Sequence, residues 1–136
     1  MLALNFVWEI AQLPLYSFGP GTSAETIAFY VVHCTLGDVV IALGAYGGAL
    51  ALTRDPVWPL RQSMSGVATA TVAAVAYTAW SEWRNVYVAG NWAYSSLMPT
   101  VAGIGLAPLL QWTLLPLTAC WVIKRRIRAS DGQQRG

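Results

Sequence analysis

The chain has 136 residues, of which 56% are hydrophobic and 10% charged, with a formal net charge of +2. An ordinary soluble domain carries about 25% charged residues, so the composition argues against a water-soluble enzyme domain. It also leaves too little positive charge for a nucleic-acid-binding face. Seven Trp and six Tyr suit a membrane interface, and two Cys do not make a disulfide framework.

Four apolar stretches follow one another along the chain, and each predicts a membrane span. The first runs from about residue 2 to 18 and contains "NFVWEIAQLPLY", with Asn5, Glu9 and Gln12 inside an otherwise oily segment. Those polar residues, and the lack of Lys or Arg before them, argue against a cleaved signal peptide. "GPGTSAE" then breaks the chain, with Thr22 or Ser23 as helix cap and Glu25 in the first turn. The second span covers about 26–52 and ends at "TRDPVWPLRQ". The third covers about 64–83, and the loop "NVYVAGNWAYSSLMP" follows it. The fourth covers about 100–123 and stops at "KRRIR", which opens a basic tail over 124–136. The expected fold is thus all-α, an integral-membrane four-helix bundle forming one domain over 1–123.

Orientation follows from the basic residues. Arg54, Arg61, Lys124, Arg125, Arg126 and Arg128 fall on one side of the four spans, and only Arg84 on the other. The positive-inside rule makes the first side cytoplasmic. Both termini are then inside, and the expected location is the inner (plasma) membrane, with multiple passes.

At about 100° per residue, Asn5, Glu9, Gln12 and Tyr16 form one narrow stripe. Thr71, Thr78, Glu82 and Asn85 do the same in the third span. His33, Gly37, Gly44 and Gly48 line up in the second, beside Asp38, and Gln111 lies near the middle of the fourth. Polar groups in lipid face the bundle interior or a wet cavity, so the stripes are expected to converge. Glu9 and Asp38 share a depth at which no Lys or Arg is expected, and at least one of them should carry a proton there. Glu82 and Arg84, near the end of the third span, read as an interfacial pair or as two solvated charges. His33 and Cys34 diverge by about 100° on a helix, and no metal site or cofactor is expected.

The stretch Ala79–Gln111, "AWSEWRNVYVAGNWAYSSLMPTVAGIGLAPLLQ", carries Glu82, then Gly90-Asn91-Trp92-Ala93-Tyr94, then Gly103-Ile104-Gly105-Leu106. In that order the motifs resemble the small membrane-embedded lycopene cyclases. The chain departs from that family after Pro108, where Leu109-Leu110-Gln111 stands in place of a paired acid. The resemblance implies a membrane scaffold that holds a long isoprenoid, and an acid such as Glu82, Glu9 or Asp38 that protonates an alkene.

The candidate catalytic residues are therefore Glu9, Asp38 and Glu82. The candidate ligand-binding residues are Asn5, Gln12, His33, Asn85, Trp92, Tyr94 and Gln111. Three function classes follow: binding or processing of a lipophilic molecule, service as an accessory subunit through polar and glycine stripes, and passage of a proton or small solute along Glu9 and Asp38. The expected partners are the lipid bilayer, a lipophilic ligand, and a second copy or another membrane protein, with no nucleic acid.

Overall fold

The computed structural model describes residues 1–61 and 63–133, and they are mostly helical. Helix α1 spans Leu2–Gln12, α2 Ala24–Thr53, α3 Trp58–Arg61, α4 Met64–Trp83 and α5 Leu106–Gln133. The four longer helices touch in the cyclic order α1, α2, α4, α5 and back to α1.

Local chemistry sets each boundary. The ring of Pro14 would clash with the carbonyl of Ile10 and has no N–H to give. The chain therefore leaves the α-helix at Gln12 for a tight turn over Leu13–Leu15. The first expected span is thus shorter than the sequence reading made it. Eleven residues rise about 17 Å, and the tight turn and extended residues of 13–18 supply up to about 16 Å more toward a hydrocarbon core of about 30 Å. Ser23 caps α2 by accepting the Thr26 N–H at 3.3 Å, and Arg54 ends it in the left-handed region at φ 53°. Ser63 caps α4 by accepting from the Gly66 N–H at 3.5 Å. After Trp83 the helix widens into a π-helical segment, Arg84–Ala89. There the Asn85 amide donates to the Ser81 carbonyl at 2.8 Å and competes with the backbone ladder.

Two short strand pairs lie between the helices. Strand β1 (Tyr16–Ser17) pairs antiparallel with β2 (Ala93–Tyr94), setting Tyr16 opposite Tyr94. Strands β3 (Thr100–Val101) and β4 (Ile104–Gly105) form a hairpin, turned by Ala102 at φ 51° and Gly103 at φ 80°. Two positive φ angles in a row suit the hairpin turn that matches strand twist. The hairpin takes residues 100–105 out of the expected fourth span, so α5 begins at Leu106. The same helix continues without a break to Gln133, through most of the expected tail; residues 134–136 lie outside the described part. Helix α3, which the sequence reading left as loop, buries Trp58.

The burial pattern is inverted relative to an ordinary soluble fold. Among the described residues, Asn5, Glu9, Gln12, Thr35, Asp38, Thr78, Glu82 and Gln111 are buried. Large apolar side chains such as Phe29, Leu36, Val40, Leu43, Leu52 and Val72 point outward. The apolar core is small, with Ala45, Ala74 and Trp112 at its centre. Helix α2 and the Leu106–Ile123 part of α5 are long and apolar enough to cross a membrane.

Gly66 sits under the Trp58 ring, where an added Cβ would lie 2.8 Å from two ring carbons. Gly66→Ala should cost about 1–3 kcal/mol through overpacking, read as a lower melting temperature in detergent. Gly44→Ala, where a Cβ meets nothing within 4 Å, should be neutral or slightly stabilising, because Ala favours a helix interior over Gly by about 1 kcal/mol.

Candidate functional site

The polar stripe of α1 places Asn5, Glu9 and Gln12 at spacings of four and three, so all three face the centre of the helix ring. Asp38 enters from α2, Thr78 and Glu82 from α4, and Gln111 from α5. A hydrogen-bonded chain joins Asn5, Gln111, Asp38, Glu9 and Gln12. The Gln111 amide nitrogen donates to Asp38 Oδ2 at 2.6 Å and lies 3.5 Å from Asn5 Oδ1. Gln12 donates to Glu9 Oε1 at 2.8 Å and accepts from the Trp8 indole at 3.2 Å. Glu9 and Asp38 themselves are hydrogen-bonded across α1 and α2.

Glu82 has its own clamp. The hydroxyls of Tyr16 and Tyr94 both donate to its Oε2, at 3.2 and 2.9 Å. The β1–β2 pairing presents these two tyrosines side by side, with ring centroids 5.8 Å apart. Burial pushes the Tyr94 phenol above its ordinary pKa, so it keeps its proton and stays a donor at neutral pH. The Glu82 carboxyl is only 7% exposed, which corrects its reading as an interfacial or solvated charge. An ion pair among the described residues lies elsewhere, between Asp55 in the loop after α2 and Arg61 at the end of α3, at 3.4 Å.

These groups line a cavity of about 360 Å³. Glu9, Asp38 and Glu82 all face it, with Gln12, Thr78 and Gln111. Phe18, Tyr30 and Trp92 form an aromatic wall, in which Trp92 meets Tyr16 and Tyr30 edge-on at 6.2 and 5.8 Å. On the opposite flank the lining includes Gly37 and Val40 of α2 and Tyr77 of α4, all of them exposed on the outside of the fold. The cavity therefore opens sideways between α2 and α4.

The structure brings most of the expected site residues together. Glu9, Asp38, Glu82, Gln12, His33, Asn85, Trp92 and Gln111 line the cavity. Asn5 lies just behind, reached through Gln111, and Tyr94 acts through Glu82. His33 is exposed at the rim and stacks on Phe29 at 5.7 Å. Asn85 also accepts from the Asn91 amide at 2.7 Å. Among the described residues no three His, Cys, Asp or Glu side chains are grouped so as to hold a metal ion.

The glycine stripe does not converge with the others. An added Cβ at Gly37, Gly44 or Gly48 would meet nothing within 4 Å. Of the three, Gly37 alone touches the cavity, and Gly44 and Gly48 face outward. Sequence reasoning missed Tyr16 as a donor to Glu82, and missed Tyr30 and Phe18 as wall residues. The polar stripe pointed to Tyr16, but its partner depends on a loop pairing without a sequence period.

Three buried polar atoms in this region have no hydrogen-bond partner, Thr78 Oγ1, Asn5 Nδ2 and Trp92 Nε1. The remaining polar groups are satisfied by one another, and removing a donor should be costly. Gln111→Leu strands Asp38 without its amide partner and should cost about 1–3 kcal/mol, measured by thermal unfolding in detergent. Gln111→Glu keeps the volume but sets a third acid against Asp38, and should destabilise by more.

No family model, curated protein or solved structure matches this chain, so the reading of the site rests on its own geometry.

Proposed function

We propose that the chain is a multi-pass inner-membrane protein with both termini cytoplasmic, and that its central cavity binds and processes a lipophilic, isoprenoid-like molecule. One observation carries the reading: a cavity with three carboxyl groups inside a shell of outward-facing apolar side chains, open sideways between two helices. A shell of that kind suits lipid, where acyl chains solvate the exterior and polar groups retreat inward. A sideways opening suits a ligand that arrives from the bilayer. A cavity of about 360 Å³ falls within the usual ~300–1,000 Å³ of small-molecule sites.

In its sharpest form the reading is acid catalysis on an alkene, in line with the resemblance of Ala79–Gln111 to the membrane lycopene cyclases. A carboxylic acid gives its proton to one alkene carbon and leaves a carboxylate and a carbon-centred cation. The cation rearranges and loses a proton to the same or a neighbouring carboxylate, so no redox partner is consumed. Glu9, Asp38 and Glu82 are the donors available in the cavity. The Glu9–Asp38 contact gives one proton two adjacent carboxyl positions. The tyrosines on Glu82 fix its orientation.

Gly44 and Gly48 favour a second reading. They leave a smooth outward groove on α2 of the kind that lets another helix approach closely, which fits an accessory subunit of a membrane complex.

Mass spectrometry of the protein purified in mild detergent tests the first reading. A co-purified lipophile is expected, and Gly37→Phe, which fills the cavity from a position with open space around it, should remove most of it without lowering the yield of folded protein. Retention of the same lipid by Gly37→Phe would place the ligand elsewhere. A stable complex with another membrane protein, lost on Gly44→Leu, would favour the second reading.

Orientation is tested separately. With Cys34 and Cys120 replaced by Ala, a Cys introduced at Ser95 should react with an impermeant reagent in intact cells, and one at Ser130 should not. The reverse pattern would overturn the assignment of sides.

A further inference from the structure

The cavity has a charge character that its role as a lipophile site does not itself require. Three carboxyl groups line it, from α1, α2 and α4, and no Lys or Arg is among its described lining residues. His33 is the one basic side chain in the lining, and it sits exposed at the rim. An anionic headgroup in that space would meet only acids, with no cation to offset it. A neutral hydrocarbon end would leave the polar wall facing an apolar surface, at the cost of desolvating it.

Two further features match a positive end. The rings of Tyr16, Tyr30 and Trp92 pack edge to face along one wall, and aromatic faces attract an organic cation, Trp most strongly. Thr78 Oγ1 lines the cavity from α4, belongs to a residue only 7% exposed, and has no hydrogen-bond partner. A buried hydroxyl without a partner is costly. Its lone pairs would accept an N–H, as would a neighbouring carboxylate. An alkylammonium group brings up to three such donors on one centre, whereas an alcohol brings one.

We infer that the cavity selects a cationic amphiphile, an alkyl chain ending in a protonated amine, with the ammonium group held between the carboxyl groups, Thr78 and the aromatic wall. The inference rests on the reading of the cavity as a lipophile site, not on its acid-catalysis form, and names the class of ligand. The chain lies toward the opening at Gly37, Val40 and Tyr77. Only a proton moves: in an amine that arrives neutral, an N–H bond forms as the O–H bond of one carboxylic acid breaks, leaving an ammonium–carboxylate pair with no net charge.

The test compares three probes of equal chain length, dodecylamine, dodecanol and dodecanoate, titrated calorimetrically into the full chain in a neutral maltoside detergent at pH 7. Dodecylamine should bind at least about tenfold more tightly than dodecanol, as charge-assisted hydrogen bonds and cation–π contact add to the shared alkyl burial. Dodecanoate should bind more weakly than either. Asp38→Asn combined with Glu82→Gln should lower dodecylamine affinity by about tenfold or more, and Thr78→Val by a few-fold.

The comparison of probes on the unmodified chain needs no variant to fold. Equal affinity for amine and alcohol would overturn the inference, as would amine binding that the double variant leaves intact. If amine and alcohol bind equally and Gly37→Phe abolishes both, the lipophile site stands and its cation preference falls. If Gly37→Phe affects neither, both readings fall together.

Discussion

Gln111 is where the interior of this fold is tied together. Its amide nitrogen reaches Asp38 on α2 and Asn5 on α1 from a position on α5, so one side chain links three helices. It is only 2% exposed, and with Asn5 it is among the largest fully buried side chains. The apolar cluster between the helices is small, built on Ala45, Ala74 and Trp112. What remains is the need of each buried polar group for a partner, which in an apolar surrounding is met only by another polar group. The helix ring closes where those partners meet.

That constraint also accounts for the separation of the three acids. Glu9 and Asp38 share one hydrogen-bonded arrangement with Gln12 and Gln111. Glu82 is set apart and held by two phenols. An amide can turn to donate or accept, whereas a phenol that keeps its proton donates to a carboxylate in a fixed direction. The two environments therefore differ in kind, one adaptable and one rigid, within one cavity. An acid that must exchange protons is better served by the first, and an acid that must hold a position by the second.

Much of this was legible in the sequence, for a simple reason. Asn5, Glu9 and Gln12 recur with the helical period, and in an apolar segment a polar stripe has only the interior to face. Asp38 and Gln111 were found by the same logic of depth. The period failed where the backbone leaves the helix. Pro14 shortens α1, and that signal was present but was outweighed by the length of the apolar run. The Ala102-Gly103 turn makes a hairpin of residues that read as the start of a span. Glu82 was placed at an interface because it stands at the end of α4. Its burial comes from Tyr16 and Tyr94, which are far from it in the chain and are brought there by a two-residue strand pair. The glycines of α2 aligned as expected, but alignment does not say which side of a helix faces its neighbours, and Gly44 and Gly48 face away from them.

The polar face of α1 also has a consequence for the order of assembly. Asn5 and Gln111 are 106 positions apart, and Tyr16 and Glu82 are 66 apart. Asn5 and Tyr16 are synthesised long before Gln111 and Glu82 exist. At about 5–20 residues per second, the wait for Gln111 lasts several seconds. During that time Glu9 gains Asp38 once α2 exists and Tyr16 gains Glu82 once α4 does, whereas Asn5 Oδ1 still lacks its partner. The ring closes only when α5 arrives, so the contact between Asn5 and Gln111 is among the last to form.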